Sequence, residues 1–242
     1  MAEPISRSSL TARFESQGVG EFEDRGGWRV VRAFTTAAEE LEIARAAVAI
    51  ADESARTKIL VQGAAAAALL EKLCGSSPPA LFQGARFGKG GAEGSVEFAV
   101  YRLRPDHFFL SAAPGEDGAL MQVLRAHAEG TGGITVTDVT HGRAEFRLIG
   151  PASRDLLAKL CGLDFDDGTF PDLACRQSSL AKTKQLLARN DLSLPSGERV
   201  TSFSIVGGRS FGAYVWDTTM AAGSEFGIGL LGSAAIDLCE QD

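Results

Sequence analysis

The sequence predicts an α+β protein with antiparallel or mixed sheets, built from two similar strand–helix units. Three observations support this prediction. Hydrophobic residues make up 45% and charged residues 23% of the 242 residues, which is ordinary for a globular protein with a real core. Short apolar runs typical of strands alternate with amphipathic segments typical of helices. A strand, a glycine turn and a helix also occur twice in the same order.

The composition restricts the classes of partner. The chain has 24 Lys and Arg against 31 Asp and Glu, so its formal net charge is −7. This balance argues against a dedicated nucleic-acid binder, because phosphate contacts need a basic face. The amino-terminal residues lack the apolar segment of a signal peptide, and no apolar run is long enough to span a bilayer. We therefore expect a cytoplasmic protein that binds neither nucleic acid nor membrane.

The four cysteines and three histidines form no recognisable disulfide or metal pattern. No two cysteines have the C-x-x-C spacing, and no H-E-x-x-H motif occurs. Asp164, Asp166 and Asp167 carry the oxygen ligands that a hard cation prefers, but Gly168 beside them favours a solvated turn. We expect reduced thiols and no metal site.

The first half of the chain is predicted to begin with an irregular, glycine-rich arm over residues 1–27. Thr36 and Glu39 have the spacing of a capping box, which predicts a helix over Ala37–Ile50. Periodicity and turn residues predict the next elements. These are a strand at Lys58–Val61, a helix to Leu73, a glycine-rich loop or hairpin turn at Gly84–Gly94, strands at Val96–Tyr101 and His107–Ser111, and a helix at Glu116–His127.

The second half is predicted from the same signals. Its elements are strands at Ile134–Val139 and Ala144–Ile149, a helix at Ala152–Leu160, one or two strands within Ser178–Ala188, a strand at Val200–Val206, and a helix at Phe211–Ala222 capped by Ser210. Ser210 also lies in a G-x-S-x-G pattern, the nucleophile elbow of serine hydrolases. The base of that motif should follow the serine, yet no histidine occurs after His141. A helix cap is therefore the preferred interpretation of Ser210.

The repeated pattern has a constant offset. Ile59–Gly63 leads into Leu69–Gly75, and Phe146–Gly150 leads into Leu156–Gly162, each 87 residues later. The second parts read LLEKLCG and LLAKLCG, which favours an internal duplication over a chance similarity of two strand–helix units. Two such units would leave a cleft between them.

The duplication suggests a division of the chain into three parts. Residues 1–50 are predicted to form an amino-terminal arm and a helix that packs on the core. Residues 51–140 are predicted to form the first α+β repeat, and residues 141–242 the second.

Four segments, in this order along the chain, resemble the folate-binding T-protein family of glycine cleavage, and especially the gamma subunit of heterotetrameric sarcosine oxidase. They are Ala44–Gly63, Glu97–Ala128, Val136–Lys182 and Arg209–Gly229. The third contains the family's Gly-Pro-x-[AS]-[RD]-x-L-L turn and helix. The resemblance implies the T-protein folate-binding fold, and we expect it without the C-terminal barrel domain.

The resemblance also implies a set of site residues. Glu97 occupies the place of the aspartate that engages the reacting folate nitrogens, and it is the implied catalytic residue. Its carboxylate sits on an arm that is one methylene longer. The implied cofactor-binding residues are Tyr101 and Arg102 beside it, Glu198, which retains one acid of the family's T-G-E motif, and Trp216 of the late helix.

Two other family positions have changed. The second acid of the T-G-E strand motif is replaced by Ser204, and the place of a late arginine holds Ala234. A serine accepts hydrogen bonds from a pterin edge more weakly than a carboxylate does. With these changes the sequence resembles the gamma-subunit branch of the family, whose members look truncated and retain fewer catalytic residues.

Two main functional hypotheses follow from the resemblance. The first is one-carbon transfer or demethylation that depends on tetrahydrofolate, with the pterin near Glu97 and Tyr101. In this hypothesis the aromatic residues Phe98, Phe109 or Trp216 stack on the pterin, and the basic residues Arg102, Arg143 or Arg209 meet the glutamate tail. The second is a non-catalytic subunit that braces a flavin-bearing partner of an amine oxidase or demethylase. A homo-oligomer that binds another small carboxylate or amine is a third alternative.

Overall fold

The computed structural model describes residues 5–87 and 96–239. Most of the predicted glycine-rich segment Gly84–Gly94 lies outside these ranges, and only Gly84–Phe87 of it is described, as a strand. Within the described residues, seven α-helices and sixteen β-strands follow one another along the chain. The prediction of an α+β protein is confirmed.

The strands and helices have the following bounds. The strands are β1 (Ser6–Arg7), β2 (Glu21–Arg25), β3 (Trp28–Ala33), β4 (Ala49–Asp52), β5 (Arg56–Gln62), β6 (Gly84–Phe87), β7 (Phe98–Arg104), β8 (His107–Pro114), β9 (Thr135–Asp138), β10 (Arg143–Ile149), β11 (Cys175–Leu180), β12 (Thr183–Arg189), β13 (Leu192–Ser193), β14 (Arg199–Val200), β15 (Ser202–Gly208) and β16 (Gly229–Leu231). The helices are α1 (Thr11–Gln17), α2 (Ala37–Ala46), α3 (Ala66–Cys74), α4 (Asp117–Ala128), α5 (Ser153–Leu160), α6 (Gly212–Gly223) and α7 (Ser233–Cys239). None of these helices is both long and apolar enough to cross a membrane.

Two large sheets form the centre of the fold. The five-stranded sheet has the order β6-β7-β8-β5-β9, and all its neighbours are antiparallel. The six-stranded sheet has the order β11-β12-β15-β10-β4-β16 and is antiparallel except for the parallel pair β4 and β16. A three-stranded sheet (β1-β3-β2) and the β13–β14 hairpin complete the strand pairing.

Each large sheet has one face covered by helices. Leu70 of α3 and Leu124 of α4 pack on Phe108 of the five-stranded sheet. Trp216 of α6 packs edge-on against Phe146 of the six-stranded sheet. The other faces of the two sheets contact each other, so a layer of side chains is enclosed between them.

The two repeats share a glycine whose conformation explains their common turn. Gly63 follows β5 with φ +118°, and Gly150 follows β10 with φ +131°. A Cβ atom on Gly63 would lie 1.9 Å from the main-chain oxygen of Gly133, and one on Gly150 would lie 2.4 Å from that of Ala47. Only glycine combines this conformation with such a close approach of main chain. Each glycine then leads into the helix of its repeat, α3 or α5.

The predicted helix Ala37–Ile50 was too long at its C-terminal end. Helix α2 ends at Ala46, and Ala49–Asp52 forms strand β4. This strand pairs with β10, where Ile50 lies opposite Leu148, and Ile50 is fully buried. Sheet pairing and burial outweigh the helical preference of this alanine-rich segment. Such tertiary effects cannot be recognised from the periodicity of the local sequence.

The two predicted helix caps had different outcomes. The capping box is confirmed, since Thr36 Oγ1 accepts from the Glu39 N–H at 3.3 Å and the Thr36 N–H donates to Glu39 Oε2 at 3.2 Å. The prediction for Ser210 was wrong. Ser210 lies inside a 3₁₀ turn, Arg209–Phe211, and α6 begins after it at Gly212 without a side-chain cap.

Candidate functional site

The candidate site is the layer of side chains between the two large sheets. Neighbouring residues of a strand point to opposite faces, so β7 divides its side chains between two environments. Tyr101 and Leu103 pack with Leu186 and Val206 of the six-stranded sheet, whereas Val100 packs with α3 and α4. The layer therefore takes alternate residues from each strand that borders it.

The centre of the layer holds a buried ion pair. Nζ of Lys58 on β5 lies 3.3 Å from Oε2 of Glu145 on β10, and these side chains are 0% and 2% exposed. Nζ also donates to the main-chain oxygens of Ser54 at 3.1 Å and Arg56 at 2.7 Å. Burial lowers the pKa of Lys58, and the charge of Glu145 opposes that shift. Because the partners belong to different sheets, the pair fixes the sheets to each other.

A second charged group lies beside this pair. Arg147 on β10 is 1% exposed, and its Nε donates to Ser202 Oγ at 2.9 Å. Its Nη2 donates to the main-chain oxygen of Asn190 at 3.2 Å, and its Nη1 lies 3.5 Å from Oε2 of Glu53. Arg56 approaches the other oxygen of Glu53 at 3.5 Å. A buried guanidinium with this set of partners has its charge and its donors satisfied by the protein itself.

A small cavity of about 20 Å³ adjoins this network. Tyr101, Phe109, Arg147 and Ser204 contribute to its wall. Its volume suits one or two water molecules. Burial raises the pKa of Tyr101, so its phenol is a neutral O–H group. No hydrogen-bond partner of this hydroxyl lies within the described ranges 5–87 and 96–239.

A much larger cavity, of about 400 Å³, lies at the end of the layer where the β7–β8 and β11–β12 turns are found. We call it the hairpin-end cavity. Leu60, Phe109, Leu186 and Val206 form its apolar wall. Its volume lies within the range of about 300–1,000 Å³ that is usual for small-molecule sites.

The charged side chains of the hairpin-end cavity all have the same sign. Arg104, Arg143 and Lys184 line it, and no carboxylate of the described residues does. None of the three makes an ion pair or a side-chain hydrogen bond with another residue in the described part of the chain. Arg104 and Lys184 are exposed and Arg143 is half-buried, in contrast to the buried, paired cations Lys58 and Arg147 of the centre.

One histidine also lines the hairpin-end cavity. His107 begins β8, and the Gln62 amide Nε2 donates to its Nδ1 at 3.0 Å. Burial lowers the pKa of His107, the charge of Arg104 lowers it further, and Asp106 opposes these effects. The neutral imidazole is therefore favoured around neutral pH.

The alternation of β7, extended by one residue, assigns Glu97 and Tyr101 to the same side of the five-stranded sheet. Glu97 is exposed and immediately precedes β7, and by the alternation of the chain it shares the face of Ala99, Tyr101 and Leu103. It lines none of the cavities described above. Since an extended chain rises by about 3.3 Å per residue, the Cα atoms of Glu97 and Leu103 lie roughly 20 Å apart. Glu97 and the hairpin-end cavity are thus at opposite ends of β7.

The other predicted cofactor-binding residues lie apart from this face. Arg102 points to the opposite face of β7, where its guanidinium lies over the ring of Phe108 and donates to the main-chain oxygen of Pro105 at 2.8 Å. Glu198 is exposed in the turn between β13 and β14. Trp216 is 4% exposed in the helix-side core, edge-on to Phe146. The structure therefore does not bring these three residues together with Glu97 and Tyr101.

Some positions named from the sequence do meet. Phe109 borders both cavities, Arg143 lines the larger one, and Ser204 lines the smaller one with Tyr101. Sequence reasoning missed Arg104 and Lys184. Arg104 lies between two predicted strands, and Lys184 lies inside the segment Ser178–Ala188, which was predicted as one or two strands. Nothing local indicated that these two segments from different repeats meet.

The described residues contain no group of three or more His, Cys, Asp or Glu side chains that could hold a metal ion. Two of the three aspartates in the 164–167 segment have partners within the protein. Asp164 accepts from the Asp166 N–H at 3.0 Å and from Thr169 Oγ1 at 2.9 Å, and Asp167 pairs with Arg189 at 2.5 Å. These contacts are those of a turn held to the sheet.

Comparison with curated proteins gives two similar relatives, both named sarcosine oxidase subunit alpha. The one from Corynebacterium sp. strain P-1 is 28% identical over 234 residues, and the one from strain U-96 is 27% identical over 236 residues. Each comparison covers 86% of this chain but 23% of the relative. The chain therefore spans about a quarter of the length of these relatives.

Comparison with solved structures gives the same fold. The glycine cleavage system aminomethyltransferase T from Bartonella henselae superposes with a TM-score of 0.80 at 19% identity, covering 96% of this chain and 61% of that one. One chain of the heterotetrameric sarcosine oxidase from Corynebacterium sp. U-96 superposes with a TM-score of 0.62 at 25% identity, covering 91% of this chain and 96% of that one. The predicted T-protein fold is confirmed, and the described residues form its two repeats without a further barrel domain.

A family model describes almost the whole chain. Residues 10–241 match the model of the GCVT N-terminal domain. This match includes both repeats, both large sheets and the layer between them. The chain therefore belongs to the GCVT N-terminal domain family.

Proposed function

We propose that this chain binds a reduced folate at the Glu97 end of the layer between its sheets and uses it in one-carbon transfer or demethylation. The observation that carries the proposal is the arrangement of Glu97 and Tyr101 on one face of β7, with Ser204 beside Tyr101 across the layer. These are the positions at which the T-protein resemblance implies contact with folate. Family membership over residues 10–241 supports the same assignment.

The chemistry of these residues fits a pterin. The N–H groups of a pterin edge need acceptors, and a carboxylate, a phenol and a hydroxyl can all accept. The cavity beside Tyr101, of about 20 Å³, admits water but not a ring system. Folate therefore has to approach from the exposed side, where Glu97 lies, with only its polar edge directed toward Tyr101.

Glu97 has the central role in this proposal. Tetrahydrofolate, when bound, supplies the amine that accepts a one-carbon unit. The Glu97 carboxylate accepts a hydrogen bond from that amine and orients it, and it takes up the proton that the amine releases. Tyr101 donates its O–H to an acceptor on the ligand, because its raised pKa keeps it protonated.

Anaerobic calorimetric titration with tetrahydrofolate tests the proposal. We expect a micromolar Kd, which corresponds to about −8 kcal/mol. Glu97→Gln keeps the size of the side chain and removes its charge, and we expect about tenfold weaker binding, roughly 1.4 kcal/mol. Glu129→Gln is the matched control, since Glu129 is exposed at the end of α4. Absence of binding by folded protein, or equal effects of both variants, would contradict a folate site at Glu97.

The second candidate function is that of a non-catalytic subunit, of the sarcosine oxidase gamma type, that braces a flavin-bearing partner. Its supporting observation is the 96% coverage of one chain of a heterotetrameric sarcosine oxidase, together with two curated relatives that are named sarcosine oxidase subunit alpha. The chain also exposes Phe211 by 51% and Tyr214 by 47% at the start of α6. Neighbouring exposed aromatics of this kind are typical anchors of protein interfaces.

Purification of the tagged chain from its own host tests this candidate. We expect a flavin-absorbing subunit to copurify in stoichiometric amount, and Phe211→Ser with Tyr214→Ser to release it. Leu81→Ser is the control, because Leu81 is 43% exposed and lies beside β6 rather than on α6. A colourless preparation that contains only copies of this chain would contradict the flavin partner and indicate a homo-oligomer or a monomer.

A further inference from the structure

We propose that the hairpin-end cavity is a second ligand site, separate from Glu97, and that it binds a small organic anion with an apolar body. The proposal rests on the charge, the spacing and the apolar wall of the cavity, and it does not depend on folate binding.

The first argument is the charge of the cavity. Arg104, Arg143 and Lys184 line it without acidic partners in the described part of the chain. Like charges that line one concave space repel one another, and water screens part of this repulsion because Arg104 and Lys184 are exposed. Asp106 lies in the β7–β8 turn and Asp138 is the last residue of β9, but neither lines the cavity, and Asp138 Oδ1 accepts from the Thr140 N–H at 2.8 Å. An anion in the cavity would remove the repulsion.

The second argument is the spacing of two of these cations. Val206 on β15 lies opposite Glu145 on β10 and opposite Leu186 on β12. Arg143 and Lys184 each lie two residues farther along the outer strands, and therefore on the same face. With strands about 4.8 Å apart, their Cα atoms are roughly 10 Å apart. Both side chains are long enough to reach one anionic group placed between them, and Arg104 approaches from the other sheet.

The third argument concerns the rest of the ligand. Leu60 and Phe109 of the five-stranded sheet face Leu186 and Val206 of the six-stranded sheet across the cavity. A small inorganic anion would leave this wall in contact with water, whereas an aromatic or aliphatic carboxylate or sulfonate would cover it. The volume of about 400 Å³ suits a small molecule rather than a chain segment.

The test uses two probes that share one apolar body. Anilinonaphthalene sulfonate carries an anion, and phenylnaphthylamine is its neutral counterpart. Fluorescence titration of the full chain measures both. We expect the sulfonate to bind with one-to-one stoichiometry, and Arg143→Gln and Lys184→Gln to weaken it by about fivefold each, in line with the loss of one charge-assisted contact. Binding of the neutral probe should not respond to these variants.

Lys182→Gln is the matched control. Lys182 is exposed in the same β11–β12 turn, two residues from Lys184, and does not line the cavity. If Lys182→Gln weakened sulfonate binding equally, the effect would come from the overall charge of the protein, and the proposed site would be wrong. Unchanged binding in all variants would overturn it as well. The melting temperature of each variant verifies that the fold is intact.

A competition experiment separates this site from the proposed folate site. Excess tetrahydrofolate should leave the sulfonate bound, and Glu97→Gln should not change its affinity. Displacement of the sulfonate by folate, together with weaker folate binding in Lys184→Gln, would overturn the separation of the two sites. If folate fails to bind at all, the sulfonate titration still decides the present proposal.

Discussion

The centre of the inter-sheet layer and its hairpin end both contain basic side chains, but these have acidic partners only at the centre. At the centre, Lys58 and Arg147 are almost completely buried, and each has carboxylate and main-chain partners. At the hairpin end, Arg104, Arg143 and Lys184 border a cavity and have no such partners among the described residues. Charge alone does not distinguish the two regions; the difference lies in how that charge is satisfied.

This difference separates structural from functional charge. A buried cation is tolerated only when the protein supplies its counter-ion and acceptors, so a satisfied group is part of the fold. Arg104 and Lys184 at the hairpin end are exposed, so water solvates them, and a group of such cations beside an apolar-walled cavity is available to an anion from outside the chain. We therefore assign the centre to stability and the hairpin end to ligand binding, and the following predictions test that assignment.

The largest expected effect is on the stability of the centre. Glu145→Gln leaves the Lys58 ammonium buried without its carboxylate, and removal of one partner of a buried pair costs about 3–5 kcal/mol. Urea unfolding measures the loss. Lys184→Gln at the hairpin end should change the free energy of unfolding by less than about 0.5 kcal/mol. A loss under about 1 kcal/mol in Glu145→Gln would show that the centre is not what holds the sheets together.

A compensating double variant sharpens this test. Lys58→Met with Glu145→Leu removes both charges and keeps similar side-chain volumes. Apolar replacement of a whole buried pair is often neutral or stabilising, so most of the lost stability should return. Failure to recover it would indicate that hydrogen bonds of Lys58 to the main-chain oxygens of Ser54 and Arg56 matter more than the ion pair.

Much of the fold could be predicted from the sequence because its signals are local. The capping box at Thr36 and Glu39 needs only residues of its own turn, and the glycines at positions 63 and 150 follow from a repeat visible in the sequence. The strand Ala49–Asp52 could not be predicted, because its pairing with β10 decides its conformation across almost a hundred residues. Alanine-rich periodicity continued the helix instead.

The site was less predictable for the same reason. Resemblance to a family assigned Glu97 and Tyr101 to one site, and alternation along β7 places them on one face. The same alternation puts Arg102, the next residue, on the opposite face, which a motif read as a continuous string does not reveal. Arg104 and Lys184 come from different repeats, so only the packing of the two sheets brings them to one cavity.

A smaller effect is expected on the pH dependence of anion binding at the hairpin end. The pKa of His107 is lowered by burial and by Arg104, so the ring is neutral at pH 7 and gains a proton only below its usual pKa. Protonation adds a fourth cation to the cavity. Affinity for anilinonaphthalene sulfonate should therefore rise as pH falls through this lowered pKa, by roughly two- to fivefold at about pH 5.5 relative to about pH 7.5.

The control for this pH effect is another histidine. His107→Gln should flatten the pH profile, whereas His127→Gln should preserve it, because His127 lies on α4 and its Nδ1 is bonded to the main-chain oxygen of Val123. The neutral probe phenylnaphthylamine should bind equally at both pH values. A profile that His107→Gln leaves unchanged would contradict the participation of this residue in the cavity.

Removal of all three cations at the hairpin end should have little effect on stability. Arg104→Gln with Arg143→Gln and Lys184→Gln relieves repulsion and breaks no ion pair of the described residues. We expect a change in the free energy of unfolding within about 0.5 kcal/mol, or a slight gain. Loss of several kcal/mol in urea unfolding would place these residues with the structural charges of the centre and remove the contrast between the two regions.

The smallest expected effect on stability is that of the Tyr101 hydroxyl, which lies between the two regions. Tyr101→Phe keeps the ring among Leu103, Phe109 and Val206 and removes an O–H that faces a water-sized cavity without a described protein partner. We expect the free energy of unfolding to change by less than about 0.5 kcal/mol, because no buried group of the protein loses its hydrogen bond. If folate reaches Tyr101 from the Glu97 end, tetrahydrofolate should nevertheless bind several-fold more weakly, while anilinonaphthalene sulfonate binds as before. The opposite result, with sulfonate binding weakened and folate binding intact, would show that Tyr101 belongs to the site in the hairpin-end cavity and not to the folate site.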